Sequence, residues 1–166
     1  MKKRKFNVPN PALAIANIEL VSKYQIGEKG YSFYDIKKLT PVFAFDYLSL
    51  EESDLCFNSK NLNSKDFIGF LDGLKKISKI PYETLKNIPN YRFHSVDFDD
   101  SRVTLSRNDF RSIFTSKGEQ LPDEALPTLY QFDLQYVGAA RVCGFLYKGI
   151  FYLIWYDRHH NIYKSK

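Results

Sequence analysis

Three features of this 166-residue chain predict an α+β domain: an antiparallel sheet of about five to six strands with two to three helices packed mainly on one face. Residues 138–166 hold two runs rich in β-branched and aromatic side chains, divided by Tyr147-Lys148-Gly149 like a short hairpin turn. Phe67, Phe70, Leu71, Leu74 and Ile77 recur at the spacing of an amphipathic helix. Aromatics make up 16% of the chain, with 14 Phe and 12 Tyr, which supports a packed core and argues against disorder.

A chain of this length forms one domain, 1–166, and buries enough apolar surface without metals or disulfides. Within it, 1–10 reads as a flexible basic tail and 11–40 as an extension of unsettled structure. Asn10-Pro11 is a plausible helix start, with Leu13, Leu20, Val21 and Tyr24 on one face, but Ile15, Ile18 and Leu20 settle on no single period and leave an extended segment open. Residues 24–36 read as two short strands around Gly27-Glu28-Lys29-Gly30.

From Pro41 to Leu48 the chain predicts a buried strand, with Phe43, Phe45 and Tyr47 on one side. Asn63 or Ser64 then caps the amphipathic helix, and Lys75, Lys76 and Lys79 lie outside its apolar stripe. Pro81 starts a shorter helix carrying Tyr82 and Leu85, which Pro89-Asn90 stops. Residues 91–98 alternate as a strand, with Arg92, His94, Val96 and Phe98 on one side. Ser106 to Asp109 opens a capping-box helix with Phe110, Ile113 and Phe114 inward and Gly118 at its end. Residues 118–127 form a loop, and Leu129 to Val137 adds a strand that makes the C-terminal third a three-stranded meander.

The net charge of +5 is unevenly spread, at +5 over residues 1–40, −3 over 41–100, −1 over 101–140 and +4 over 141–166. Basic ends of this kind attract polyanions, since Lys and Arg release counterions from phosphates; they also serve simply as a solubilising surface. Cys56 and Cys143 are far apart and share no zinc or disulfide spacing, which fits a reducing, cytoplasmic setting. No apolar run approaches the ~20 residues of a spanning helix, and Asn7, Pro9, Asn10 and Pro11 break the stretch that a secretion signal needs. Phosphate-binding glycine loops, GxSxG and HExxH are missing, so no cofactor is expected.

Candidate chemistry concentrates in the tail. Gly138-Ala139-Ala140-Arg141-Val142 leads into the apolar strand Ile150 to Tyr156, then Arg158-His159-His160 and Tyr163. This tail, with the order strand, helix, helix, strands before it, resembles the RelE/ParE superfamily of small bacterial toxins. Similar tails also occur in uncharacterised proteins of bacterial mobile elements. The resemblance implies a RelE-like toxin or ribonuclease that cleaves RNA by 2′-hydroxyl attack, a reaction that needs no metal. It assigns Arg141 as phosphate clamp, His159 or His160 as acid or base, and Tyr163 as a second proton donor or stacking group. By their charge, Lys148, Arg158, Lys164 and Lys166 are the candidate nucleic-acid-binding cations beside them. RNA or the ribosome, and a cognate antitoxin protein, are the partners that follow from the resemblance.

Each residue also has a plainer role. A His pair after a strand suits an exposed loop, and adjacent residues of an extended chain point to opposite faces, so no metal site is expected. His94 fits a strand residue with a local hydrogen bond. Arg141, set among apolar neighbours, must find an anion, and Asp133 or Asp157 on a neighbouring strand would serve. The alternative function is therefore a non-catalytic module of a mobile element, binding nucleic acid or protein with the same basic sheet end.

Overall fold

The computed structural model describes residues 36–51, 53–134 and 140–164. The helix expected after Asn10-Pro11 and the strands expected around Gly27 to Gly30 lie outside these residues, as does Lys166. The described chain contains five strands and three α-helices: β1 (Val42–Ala44), α1 (Ser64–Ile77), α2 (Tyr82–Asn87), β2 (His94–Ser95), α3 (Arg107–Thr115), β3 (Leu129–Asp133), β4 (Arg141–Tyr147) and β5 (Ile150–Asp157).

These strands form one sheet in the order β1-β5-β4-β3-β2. The expectation of an antiparallel sheet needs correction, because β1 runs parallel to β5 while the other three pairings are antiparallel. Only a tight turn forces antiparallel pairing, and more than a hundred residues separate β1 from β5. No helix among the described residues is long and apolar enough to cross a membrane.

Local signals set the helix ends. Asn63 caps α1: its side chain accepts from the Lys65 N–H at 2.9 Å, while the Asn63 N–H donates to Asp66. Ser106 and Asp109 make the same reciprocal arrangement at α3. Pro81 precedes α2, and Pro89–Tyr91 continues as a 3-10 turn. The phase of α1 differs from the apolar pattern. Asp66, Gly69, Phe70, Gly73, Leu74 and Ile77 face inward, whereas Leu71 is 62% exposed and Phe67 is also outside. The inward-facing position 73 suits glycine because a Cβ there would meet the Leu134 side chain at 2.9 Å.

Alternation along the strands sorts the core into two clusters. Phe132, Val142, Phe151, Leu153 and Tyr156 join Phe70, Leu74 and Ile77 of α1 and Tyr82 and Leu85 of α2. Leu129, Cys143, Phe145, Ile154 and Trp155 join Phe110 and Phe114 of α3. Ile154 and Trp155 share this second cluster because the register slips by one residue at Cys143/Gly144, a bulge. Gly144 lies inside β4 and does not interrupt it. A Cβ at that position would sit 2.0 Å from the Tyr152 carbonyl oxygen, so only glycine lets the two strands close up there.

Two expected strands are shorter than their patterns. The segment expected at Pro41 to Leu48 is a three-residue edge strand with Val42 60% exposed. Its aromatics part company: Phe43 packs on Phe132 and Phe151, Tyr47 enters the α3 cluster, and Phe45 is exposed. The strand expected over 91–98 shrinks to His94–Ser95, because Arg92 adopts a left-handed conformation (φ 45°) at the end of the 3-10 turn.

Candidate functional site

Strand register brings three charges into one row. Asp133, Arg141 and Asp157 are direct neighbours on β3, β4 and β5. Arg141 is only 3% exposed; its Nη1 lies 2.8 Å from Asp133 Oδ2 and donates to the Ala140 carbonyl at 3.1 Å. Burial works against the guanidinium charge, and the Asp133 and Asp157 carboxylates offset it. Among the described residues, Arg141 Nε has no acceptor. Arg141, the clamp implied by the resemblance, thus lies inside the domain against an acid.

Asp157 organises the tail that follows. Fully buried at the end of β5, it accepts from the Asn161 N–H at 2.7 Å and the Ile162 N–H at 2.9 Å. These bonds fold residues 158–162 back over the sheet, with His160 in a left-handed conformation (φ 60°). Ile162 is buried among the α3 cluster, and its carbonyl accepts from the Thr104 N–H at 2.8 Å. Tyr163 pairs with Val103 in an antiparallel bridge, and the Lys164 N–H donates to the Arg102 carbonyl. Main-chain bonding therefore holds the segment carrying His160, Tyr163 and Lys164.

Beside the row opens a cleft of about 530 Å³ lined by Arg92, His94, Gln131, His160, Tyr163 and Lys164, together with Ser95, Asp97, Asp100 and Arg102. His160 stacks on Tyr163 with ring centroids 5.6 Å apart, and His94 meets the same ring edge-on at 6.1 Å. Burial, together with the positive charges of Arg141 and Arg92, holds the His160 imidazole below its ordinary value against the pull of Asp157. Burial also raises Tyr163, with Asp100 adding to it, so the phenol keeps its proton near neutrality. Arg102 is fastened to Asp100 through Nε and Nη2 at 3.0 and 2.6 Å. Among the described residues, three non-glycine positions have positive φ, and two of them, Arg92 and His160, line this cleft. Such backbone costs on the order of 1 kcal/mol each and must be held by its surroundings.

On the floor, Gln131 is 2% exposed and its Nε2 lies 2.9 Å from His94 Nε2. His94 Nδ1 is 2.8 Å from the Ser95 carbonyl, which can only accept. Nδ1 therefore carries the hydrogen, and Nε2 accepts from the Gln131 amide. This is the local hydrogen bond expected of His94, with a second partner added.

Sequence-derived candidates divide among four places. His160, Tyr163 and Lys164 meet in the cleft, and Arg141 lies beside it. His159 is exposed, and its charge is felt at Asp66. Arg158 forms an ion pair with that same Asp66, the buried capping residue of α1, and so ties the end of β5 to the helix start. Burial opposes the Asp66 charge, and the Asn63 N–H with Arg158 outweighs it, keeping the carboxyl below its usual range. Lys148 occupies the turn at the far end of the hairpin, roughly 20 Å along the strands from Arg141, with Nζ 5.1 Å from the Tyr147 ring centre.

Arg92, His94 and Gln131 are cleft residues that the sequence did not single out. The alternation over 91–98 places Arg92 and His94 on one side, and a lone amide within an apolar strand is itself a signal, since buried polar groups need partners. Comparison with protein-family models, with curated proteins and with solved structures finds no match for this chain.

Proposed function

We propose that the cleft binds single-stranded RNA and cleaves it as a RelE-like toxin or ribonuclease does, without a metal. The observation that carries this reading is an imidazole, His160, held below its ordinary pKa and stacked on Tyr163 beside the cations Arg92 and Lys164. A neutral imidazole accepts the 2′-hydroxyl proton as the 2′ oxygen attacks phosphorus. The bond from phosphorus to the 5′ oxygen then breaks, giving a 2′,3′-cyclic phosphate and a 5′-hydroxyl end. Arg92 and Lys164 face the charge that builds on the phosphorane, and the Tyr163 hydroxyl donates to the departing 5′ oxygen. Arg141 acts from beside the cleft as a fixed positive charge that favours the neutral form of His160.

The test uses end-labelled RNA. Wild-type protein yields fragments with cyclic phosphate ends, while His160→Gln lowers the rate about 10²- to 10⁴-fold, the usual worth of a proton-transfer group, and keeps binding. In bacteria, expression of the wild type arrests growth and depletes mRNA, and His160→Gln does neither. Uncut RNA and unaffected growth overturn the nuclease.

One observation favours the second reading, a non-catalytic nucleic-acid- or protein-binding module: the Arg141 guanidinium is engaged by Asp133 inside the domain. Uncut RNA that binds and weakens steeply with salt identifies nucleic-acid binding, and salt-insensitive association identifies a protein partner.

A further inference from the structure

Gln131 carries one unmet bonding group. It is 2% exposed on the cleft floor, one N–H of its Nε2 is engaged by His94, and its Oε1 has no hydrogen-bond partner among the described residues. An acceptor buried in this way is costly to leave unmet, whereas a ligand donor that reaches it recovers the loss. The carboxamide still holds a second N–H beside Oε1, a donor and an acceptor on one small group. His94 keeps it from turning, because the Ser95 carbonyl fixes the His94 tautomer and His94 Nε2 then accepts only from an N–H.

From this we infer that Gln131 reads a base inserted into the cleft, and that the base is adenine. On its N6/N7 edge adenine sets an amino donor next to a ring-nitrogen acceptor, which a glutamine carboxamide pairs with through two bonds, whereas guanine shows two acceptors there; cytosine has a like pair at N4 and N3, but its single ring covers less of an aromatic wall. The rings of Tyr163, His160 and His94 provide a wall against which a flat base stacks. Phosphates flanking the base then lie toward Arg92 and Lys164. This inference rests on the reading of the cleft as an RNA site, and it adds a specificity residue to that reading.

The experiment measures fluorescence anisotropy of labelled 2′-O-methyl oligouridylates carrying one central adenosine, guanosine or cytidine, which lack the 2′ nucleophile and cannot be cut. Wild-type protein binds the adenosine oligomer about tenfold more tightly than the guanosine, cytidine or all-uridine ones, within the range of a two-bond amide contact. Gln131→Met, similar in size, brings the four affinities within about twofold of one another. Gln131→Glu, which keeps the acceptor but has no N–H, also loses the preference; thermal melts of both variants verify folding, and either folded variant suffices. Equal wild-type binding of all oligomers, a preference for a base other than adenine, or a preference that survives in a folded variant overturns this inference while leaving RNA binding intact. No binding of any oligomer by the wild type overturns the RNA site itself and this inference with it.

Discussion

The β4–β5 hairpin ends in two very different ways. At one end Lys148 and Gly149, both with positive φ (48° and 82°), make a two-residue turn, and the Lys148 ammonium lies at the surface over Tyr147. At the other end Arg141 is enclosed between the carboxylates of Asp133 and Asp157, and the chain folds back over it through bonds to Asp157. A cation at the surface is hydrated, and any ion pair it makes there is worth little. An enclosed one requires counter-charges at fixed positions, so it organises everything around it, including the cleft beside it.

The sharpest way to break this contrast is Arg141→Met, which leaves Asp133 and Asp157 without their cation. Losing one partner of a buried ion pair costs about 3–5 kcal/mol, and urea unfolding should show a loss of that size; a loss below about 1 kcal/mol would mean the row is not an organiser. Next comes Asp157→Ala, which strands the Asn161 and Ile162 N–H groups. Each hydrogen bond to a charged group is worth about 1.5–3 kcal/mol; Asn161 is exposed and its N–H regains water, so the same assay should read the loss of about one such bond, accompanied by loss of the His160–Tyr163 ring contact in NMR spectra.

Smaller in size is a pH effect at His160. Its folded value is depressed, mainly by burial, relative to about 6.5 in the unfolded chain. Below that pH the unfolded state binds more protons, so stability present above it is lost as pH falls toward the folded value. Between pH 7 and 5, wild-type protein should therefore lose more stability than His160→Gln; parallel curves would show that His160 does not titrate in this way. The smallest effect belongs to Lys148→Ala, expected within about 0.5 kcal/mol of wild type because the side chain is at the surface. A larger cost there would erase the distinction between the two ends.

The same division explains which features could be read from the residues. Asn63 with Asp66, Ser106 with Asp109, and Pro81 before Tyr82 are contacts across a few positions, and each helix start was legible from them. The phase of α1 was not. Apolarity selected Phe67 and Leu71, while the fold turned Asp66, Gly69 and Gly73 inward, because Arg158 waits for a carboxylate and Leu134 needs room against a residue without a Cβ. His160, Tyr163 and Lys164 were found as a cluster in sequence and remain one in space. Lys148 was grouped with them by charge alone, and strand direction carried it to the opposite end. Gln131 was passed over as one more strand residue, since its significance depends on His94, 37 positions away.

By itself, the sequence determined the α+β class, the helix caps, the hairpin turn at Lys148-Gly149 and the basic His/Tyr tail, all features in which partners lie within a few residues and local geometry suffices. The sequence also named Asp133 or Asp157 as the acid for Arg141, and the structure sets one on each side of it. Tertiary structure alone decided that β1 runs parallel to β5 and that Arg92, His94 and Gln131 join His160 and Tyr163 around one cleft. The physical reason is strand register. A slip of one residue reverses every side chain between the two faces, and here the register includes a bulge at Cys143/Gly144 that depends on close approach to the Tyr152 carbonyl.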